Sequence, residues 1–189
     1  MIFAIEISMR ILPLTHSLAQ KYAAEAYEAL NGDGTCSLPN MEKTCFAREF
    51  CLDGVAPALK LSELCGAPIG FVAIEADEFA GCITCSGPTS VHERYFPRNI
   101  PCSAMIMSNL CVPKKYRGRG YGASLCRRAI QTSPGAPIFL LVRRAGVYSP
   151  TNIKNLFDEG SVKLMEFYER LDFEYKTSCP HAHLMCLRG

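Results

Sequence analysis

The spacing of apolar residues along the chain changes several times, and each change predicts an element. "IFAIEIS" (2–8) alternates loosely and is rich in isoleucine, which predicts a strand. "LTHSLAQKYAAEAYEALNGDG" (14–34) follows, with alanines and leucines at helical spacing. Thr15 stands where an N-cap belongs and Asn31-Gly32 where a helix stops. A second, shorter helix is expected from Glu42 to about Leu52. "PIGFVAIEADEFAGCITCSGP" (68–88) reads as two antiparallel strands around a tight turn at Ala76-Asp77-Glu78. A loop with two prolines (90–101) leads to "CSAMIMSNLCV" (102–112), expected to be a strand buried on both faces and ended by Pro113. A helix from about Gly120 to Gln131 precedes another buried strand, "PIFLLVRR" (137–144). Residues 145–160 form a long connection, with a short helix expected around Asn152 to Asp158. The helix expected over 161–173 has its apolar stripe at positions 164, 165, 167, 168 and 171. "FEYKTS" and "HAHLMCL" close the chain as a hairpin, with Cys179-Pro180 in its turn.

The predicted order is β-α-α-β-β-β-α-β-α-β-β. It packs most simply as a mixed sheet with helices on both faces. A chain of 189 residues suits a single domain, 1–189. No apolar run is long enough to span a bilayer, and the N-terminus carries Glu6 with no basic region before it. With eleven scattered cysteines and no secretion signal, the expected compartment is cytoplasmic, with most thiols reduced. Cys82 and Cys85 have CxxC spacing, but residues three apart on a strand face opposite ways, so no shared metal is expected there. Cys179, His181 and His183 sit in no recognisable zinc framework either, although the two histidines would share a strand face and line a substrate mouth.

A net charge of +2 conceals a strong segregation. Residues 94–157 hold eleven basic side chains and no acid, whereas residues 1–93 carry a net −7. Such a chain is expected to hold an anion with its middle and to face a cation with its first half.

The basic segment includes "CVPKKYRGRGYGASLCRRAI" (111–130), where an apolar strand ends and a helix begins at glycines. The first turn of a helix presents N–H groups without intrahelical acceptors, at the positive end of the helix dipole. Glycines let the backbone turn sharply there and keep side chains out of a ligand's way. The arrangement describes a phosphate or pyrophosphate cradle. A Walker A loop is excluded, since no Gly-Lys-Ser/Thr follows. A dinucleotide fingerprint fits only loosely, and it lacks the acid about 20 positions on that holds a ribose.

Arg117-Gly118-Arg119-Gly120-Tyr121-Gly122 instead matches Arg/Gln-x-x-Gly-x-Gly/Ala, and it follows an apolar strand. This resembles the coenzyme A-binding motif of the GNAT acetyltransferase superfamily. "MEFYERLDF" (165–173) is similar to the superfamily's second signature, and the element order is also similar. The resemblance implies an α/β (α+β) fold with a mixed, mostly antiparallel central sheet flanked by helices. It implies acetyl-coenzyme A as acyl donor, no metal, and direct attack of a primary amine on the thioester. It places the pantetheine arm on the backbone of Leu110, Cys111 and Val112, and the pyrophosphate on the amides from Arg117 to Gly122. The general acid for the departing thiolate falls on Tyr168, and a phenol of pKa about 10 suits a thiol leaving group. Read from the pattern alone, Tyr168 is also a core residue on an apolar stripe.

The sequence departs from the superfamily in two places. Relatives often carry a glutamate on the strand before the loop, where Ile106 and Ser108 stand here. The base therefore stays open among Glu28, Asp77, Glu78 and water. Asp172 occupies a position where glycine is preferred, which predicts a left-handed residue. Cys111 has no histidine placed near it by sequence to activate it, so it reads as packing and not as a nucleophile. The superfamily's acceptor pocket would take Glu28, Asp77 and Glu78 from this chain. Those acids point to a cationic amine, either a polyamine-like molecule or a lysine in a basic peptide. A non-catalytic acyl-coenzyme A sensor and a nucleic-acid-binding module on 94–157 are the alternatives. No membrane is expected as partner, nucleic acid is not favoured, and the chain is expected as monomer or homodimer.

Overall fold

A computed structural model describes residues 9–31, 70–87, 99–143, 159–179 and 182–189. In chain order its elements are β1 (Arg10–Pro13), α1 (His16–Asn31), β2 (Gly70–Glu75), β3 (Glu78–Ser86) and β4 (Met105–Cys111). After a 3-10 turn, Lys114–Tyr116, come α2 (Tyr121–Gln131), β5 (Ile138–Arg143), α3 (Glu159–Glu169), β6 (Phe173–Cys179) and β7 (Ala182–Leu187). The strand expected over 2–8 and the helices expected over 42–52 and 152–158 lie outside the described residues. The sequence reading missed β1, a four-residue edge strand that ends in Pro13, where an edge tolerates proline.

The seven strands form one sheet in the order β1-β2-β3-β4-β5-β7-β6. Every neighbouring pair is antiparallel except β4 and β5. The parallel contact follows from the helical crossover α2, since parallel neighbours cannot be joined by a tight turn.

Local chemistry explains the boundaries. Thr15 caps α1, its Oγ1 accepting from Leu18 N–H at 3.3 Å. Ala76 and Asp77 turn the β2–β3 hairpin with φ of 50° and 64°, the two positive angles of a type I′ turn. The third helix stops at Glu169, four residues short of the expected end. Asp172 adopts φ 67° as its sequence position predicted, and it returns the chain into β6.

Helices cover both faces. On one, α1 lays Ala19, Tyr22 and Ala26 against Val72, Ile74, Phe79 and Cys82. On the other, α2 and α3 bury Leu125, Cys126, Met165 and Tyr168 against Phe71, Ile83, Leu140 and Phe173. Cys82 and Cys85 belong to these opposite faces, as strand alternation requires. Among the described residues no helix is long and apolar enough to cross a membrane.

Candidate functional site

The site begins with a distortion of β4. This strand was expected to be buried on both faces, but only its first half is. Ile106 and Met107 are buried, whereas Ser108 and Leu110 are half-buried and Asn109 is exposed. Cys82 opposes Cys111 and Thr84 opposes Ser108, so β4 carries an extra residue between the two pairs. Asn109 takes the left-handed conformation at φ 50°. Its Nδ2 donates to Thr84 Oγ1 at 3.2 Å, and that hydroxyl donates to the Ser108 carbonyl at 3.1 Å. The bulge is thus tied down by side chains. Beyond it the sheet opens. Pairing of β4 with β5 runs only from Met105↔Ile138 to Met107↔Leu140, although β5 stays paired with β7 as far as Arg143. Leu110 and Cys111 line the edge of that opening, and Val112 continues it. Cys111 is buried, with its Sγ 3.4 Å from that of Cys82, in the packing role its sequence context indicated.

The glycine turn follows directly. Arg117 Nε donates to the Val112 carbonyl at 2.9 Å and closes the loop on the end of the strand. Gly118 and Gly120 have φ of 75° and 84°, and a Cβ on either would meet nothing within 4 Å. Gly120 is the N-cap of α2, and its carbonyl accepts the first helical bond from Ser124 N–H at 3.0 Å. No acid stands in the first turn of the helix. Main-chain N–H groups at a helix start, positive φ and open space above the turn are the features by which a helix start can bind an anion. Gly122 differs from the other two. A Cβ there would lie 3.5 Å from Phe167 and 3.8 Å from Val112, so this glycine brings α3 close to the turn.

Tyr168 lies one residue beyond Phe167 on α3. It is buried, with ring centroids 5.0 Å from Phe167 and 5.8 Å from Phe173. Burial pushes its hydroxyl well above the ordinary tyrosine range, and the Cys126 thiol adds to the shift. The acids singled out in the sequence are dispersed. Glu28 is exposed on α1. Asp77 pairs with Arg10 at 2.7 Å on the hairpin tip. Glu78 binds Lys115 and accepts from Tyr116 Oη at 2.9 Å. The structure therefore sets the Arg117–Gly122 turn on the end of β4 at Val112, with Phe167 beside Gly122, while Glu78 faces the loop itself. The sequence reading missed Glu75, whose carboxylate takes Arg119 at 3.2 Å. His183, expected at a substrate mouth, is fully buried, with Nδ1 2.6 Å from Ser178 Oγ. It shares one face of β7 with Met185, and its expected companion His181 lies outside the described residues. Among the described residues no three of His, Cys, Asp and Glu converge as metal ligands would.

No protein-family model matches the chain, and no curated protein does. Solved structures do. The PaiA N-acetyltransferase of Thermoplasma acidophilum, in complex with coenzyme A, superposes with a TM-score of 0.62 at 14% identity, covering 96% of this chain and 99% of its own. YncA of Salmonella typhimurium, solved with its cofactor acetyl-CoA, gives 0.60 at 13% identity and covers 96% and 94%. A GNAT-family acetyltransferase of Staphylococcus aureus Mu50 gives 0.60 at 10% identity and covers 95% and 98%. The chain has the GNAT acetyltransferase fold. The bulged fourth strand, the parted β4–β5 seam and the glycine turn are contiguous in the chain, as strand, turn and helix start.

Proposed function

We propose that this protein is an acetyl-coenzyme A-dependent N-acetyltransferase acting on a primary amine. The observation that carries the reading is the turn at Gly118–Gly120, with positive φ and open space at the start of α2, set beside a β4–β5 seam that parts after Met107. The fit is chemical as well as spatial. A pyrophosphate wants several N–H donors, and the first turn of α2 offers them with no acidic residue of its own. Coenzyme A in the solved neighbours supports the same reading.

When bound, acetyl-coenzyme A supplies an activated acetyl group. The chain's residues then have separate tasks. Amides of Arg117 to Gly122 hold the pyrophosphate. Backbone groups of Leu110, Cys111 and Val112, freed by the bulge and the parted seam, hold the pantetheine arm and orient the thioester. Tyr168 Oη keeps its proton at neutral pH and holds it for the departing sulfur. The acceptor is a cationic amine, attracted by the net −7 of residues 1–93.

The test is thiol release from acetyl-coenzyme A with a panel of polyamines, amino acids and lysine peptides. Release with an amine is expected, and Tyr168→Phe should lower kcat by about 10²-fold while leaving coenzyme A affinity unchanged. Coenzyme A binding without thiol release from any amine would make the protein a sensor. Absence of coenzyme A binding would overturn the reading.

A further inference from the structure

The β2–β3 hairpin places two carboxylates where they should repel. Glu75 ends β2, Glu78 begins β3, and they are direct cross-strand partners. Like charges in that position destabilise a hairpin. Here each is matched by a different part of the basic turn after β4. Glu75 binds Arg119 at 3.2 Å, and, after burial, its carboxylate helps to push the Tyr121 hydroxyl up. Glu78 binds Lys115 and accepts from Tyr116 Oη at 2.9 Å. The two tyrosines are buried beneath the turn with ring centroids 5.6 Å apart. Lys115 Nζ and the Arg119 guanidinium lie 4.9 and 5.6 Å from the Tyr116 ring. Residues on both sides of Gly118 are therefore pinned to one hairpin through six side chains.

We infer that Glu75 and Glu78 are positioning residues that clamp the glycine turn in its cofactor-holding shape and thereby set the affinity for coenzyme A. The inference rests on the cradle reading above. Physically, the four cations Lys114, Lys115, Arg117 and Arg119 repel one another within six residues, and the pair of carboxylates offsets that repulsion without occupying the amides. Glu75 is the firmer anchor, because its side chain is 18% exposed against 60% for Glu78 and solvent screens it less.

The direction of the effect separates the clamp from simple electrostatics. Removing a negative charge near a pyrophosphate site should tighten anion binding if charge alone mattered. Loss of a clamp should weaken it. The experiment is calorimetric titration of coenzyme A into the wild type, Glu75→Gln, Glu78→Gln and Tyr116→Phe, with amide hydrogen exchange across 113–121 in the free proteins. The expected result is a Kd raised about three- to tenfold, more for Glu75→Gln than for Glu78→Gln, together with faster exchange in the turn. Combining Glu78→Gln with Tyr116→Phe should be less than additive, because both remove the same contact. Equal or tighter binding by both glutamine variants, with unchanged exchange, overturns the clamp while leaving the cradle intact. Wild-type protein that binds no coenzyme A overturns the cradle, and with it the claim that the carboxylates set cofactor affinity.

Discussion

Gly120→Ala is a demanding perturbation of the turn, because its two effects come from different sources. The first is conformational. At φ 84° a Cβ is strained whatever the surrounding space, at a cost of about 1–2 kcal/mol. Nothing lies within 4 Å of the added carbon, so no clash term is expected. For a chain of this length each kcal/mol lowers Tm by about 2–4 °C, which gives a fall of about 2–8 °C. The second effect concerns the ligand. The methyl group would project into the space assigned to a pyrophosphate, so coenzyme A affinity should drop by more than the stability loss accounts for, about tenfold or more. Gly122→Ala is the internal control. Its φ is not in the left-handed region, and its Cβ would meet Phe167 and Val112 at 3.5 and 3.8 Å, ordinary contact distances. Its Tm should stay within about 1 °C of wild type. Thermal unfolding by circular dichroism and titration with coenzyme A measure both quantities. If Gly122→Ala destabilises as much as Gly120→Ala, the conformational account is wrong. If Gly120→Ala binds coenzyme A as the wild type does, the turn is not the cradle.

Three further outcomes follow from single positions. Leu125→Ala empties a fully buried site between α2 and the sheet and should cost about 2–5 kcal/mol, read as a Tm drop of at least about 4 °C. A smaller drop would place α2 outside the main core. Asp172→Gly relieves a left-handed aspartate at φ 67°, worth about 1 kcal/mol, against the greater chain entropy of glycine, so Tm should hold or rise by about 2 °C. A marked fall would show that the Asp172 side chain contributes more than its backbone costs. Lys115 and then Tyr116 hold the Glu78 carboxyl below its ordinary 4.5. Its folded-state value is depressed, so its contribution is complete above that ordinary value and is lost as pH falls through the lowered one. Hydrogen exchange in the 113–121 turn, corrected for intrinsic pH dependence, should therefore rise selectively in acid, and Glu78→Gln should abolish that rise.

Much of this protein was legible in the chain itself, wherever the signal is local. Thr15 marks a helix start because a capping oxygen and the N–H it serves are three residues apart. Ala76-Asp77 marks a hairpin, and the glycines at 118 and 120 mark a turn, because the required φ angles belong to single residues. Asp172 announced a left-handed position for the same reason. What the tertiary structure alone decided depends on partners distant in sequence. The bulge at Asn109 exists because Thr84, on the neighbouring strand, binds it, and no apolar pattern in β4 records that. His183 looked like a mouth residue by strand alternation, yet the sheet buries it against Ser178. Glu78 read as a carboxylate waiting for a cationic substrate, but Lys115, 37 residues away, already binds it. Charge segregation along a sequence shows that attraction is available, and only the fold settles which cation meets which carboxylate.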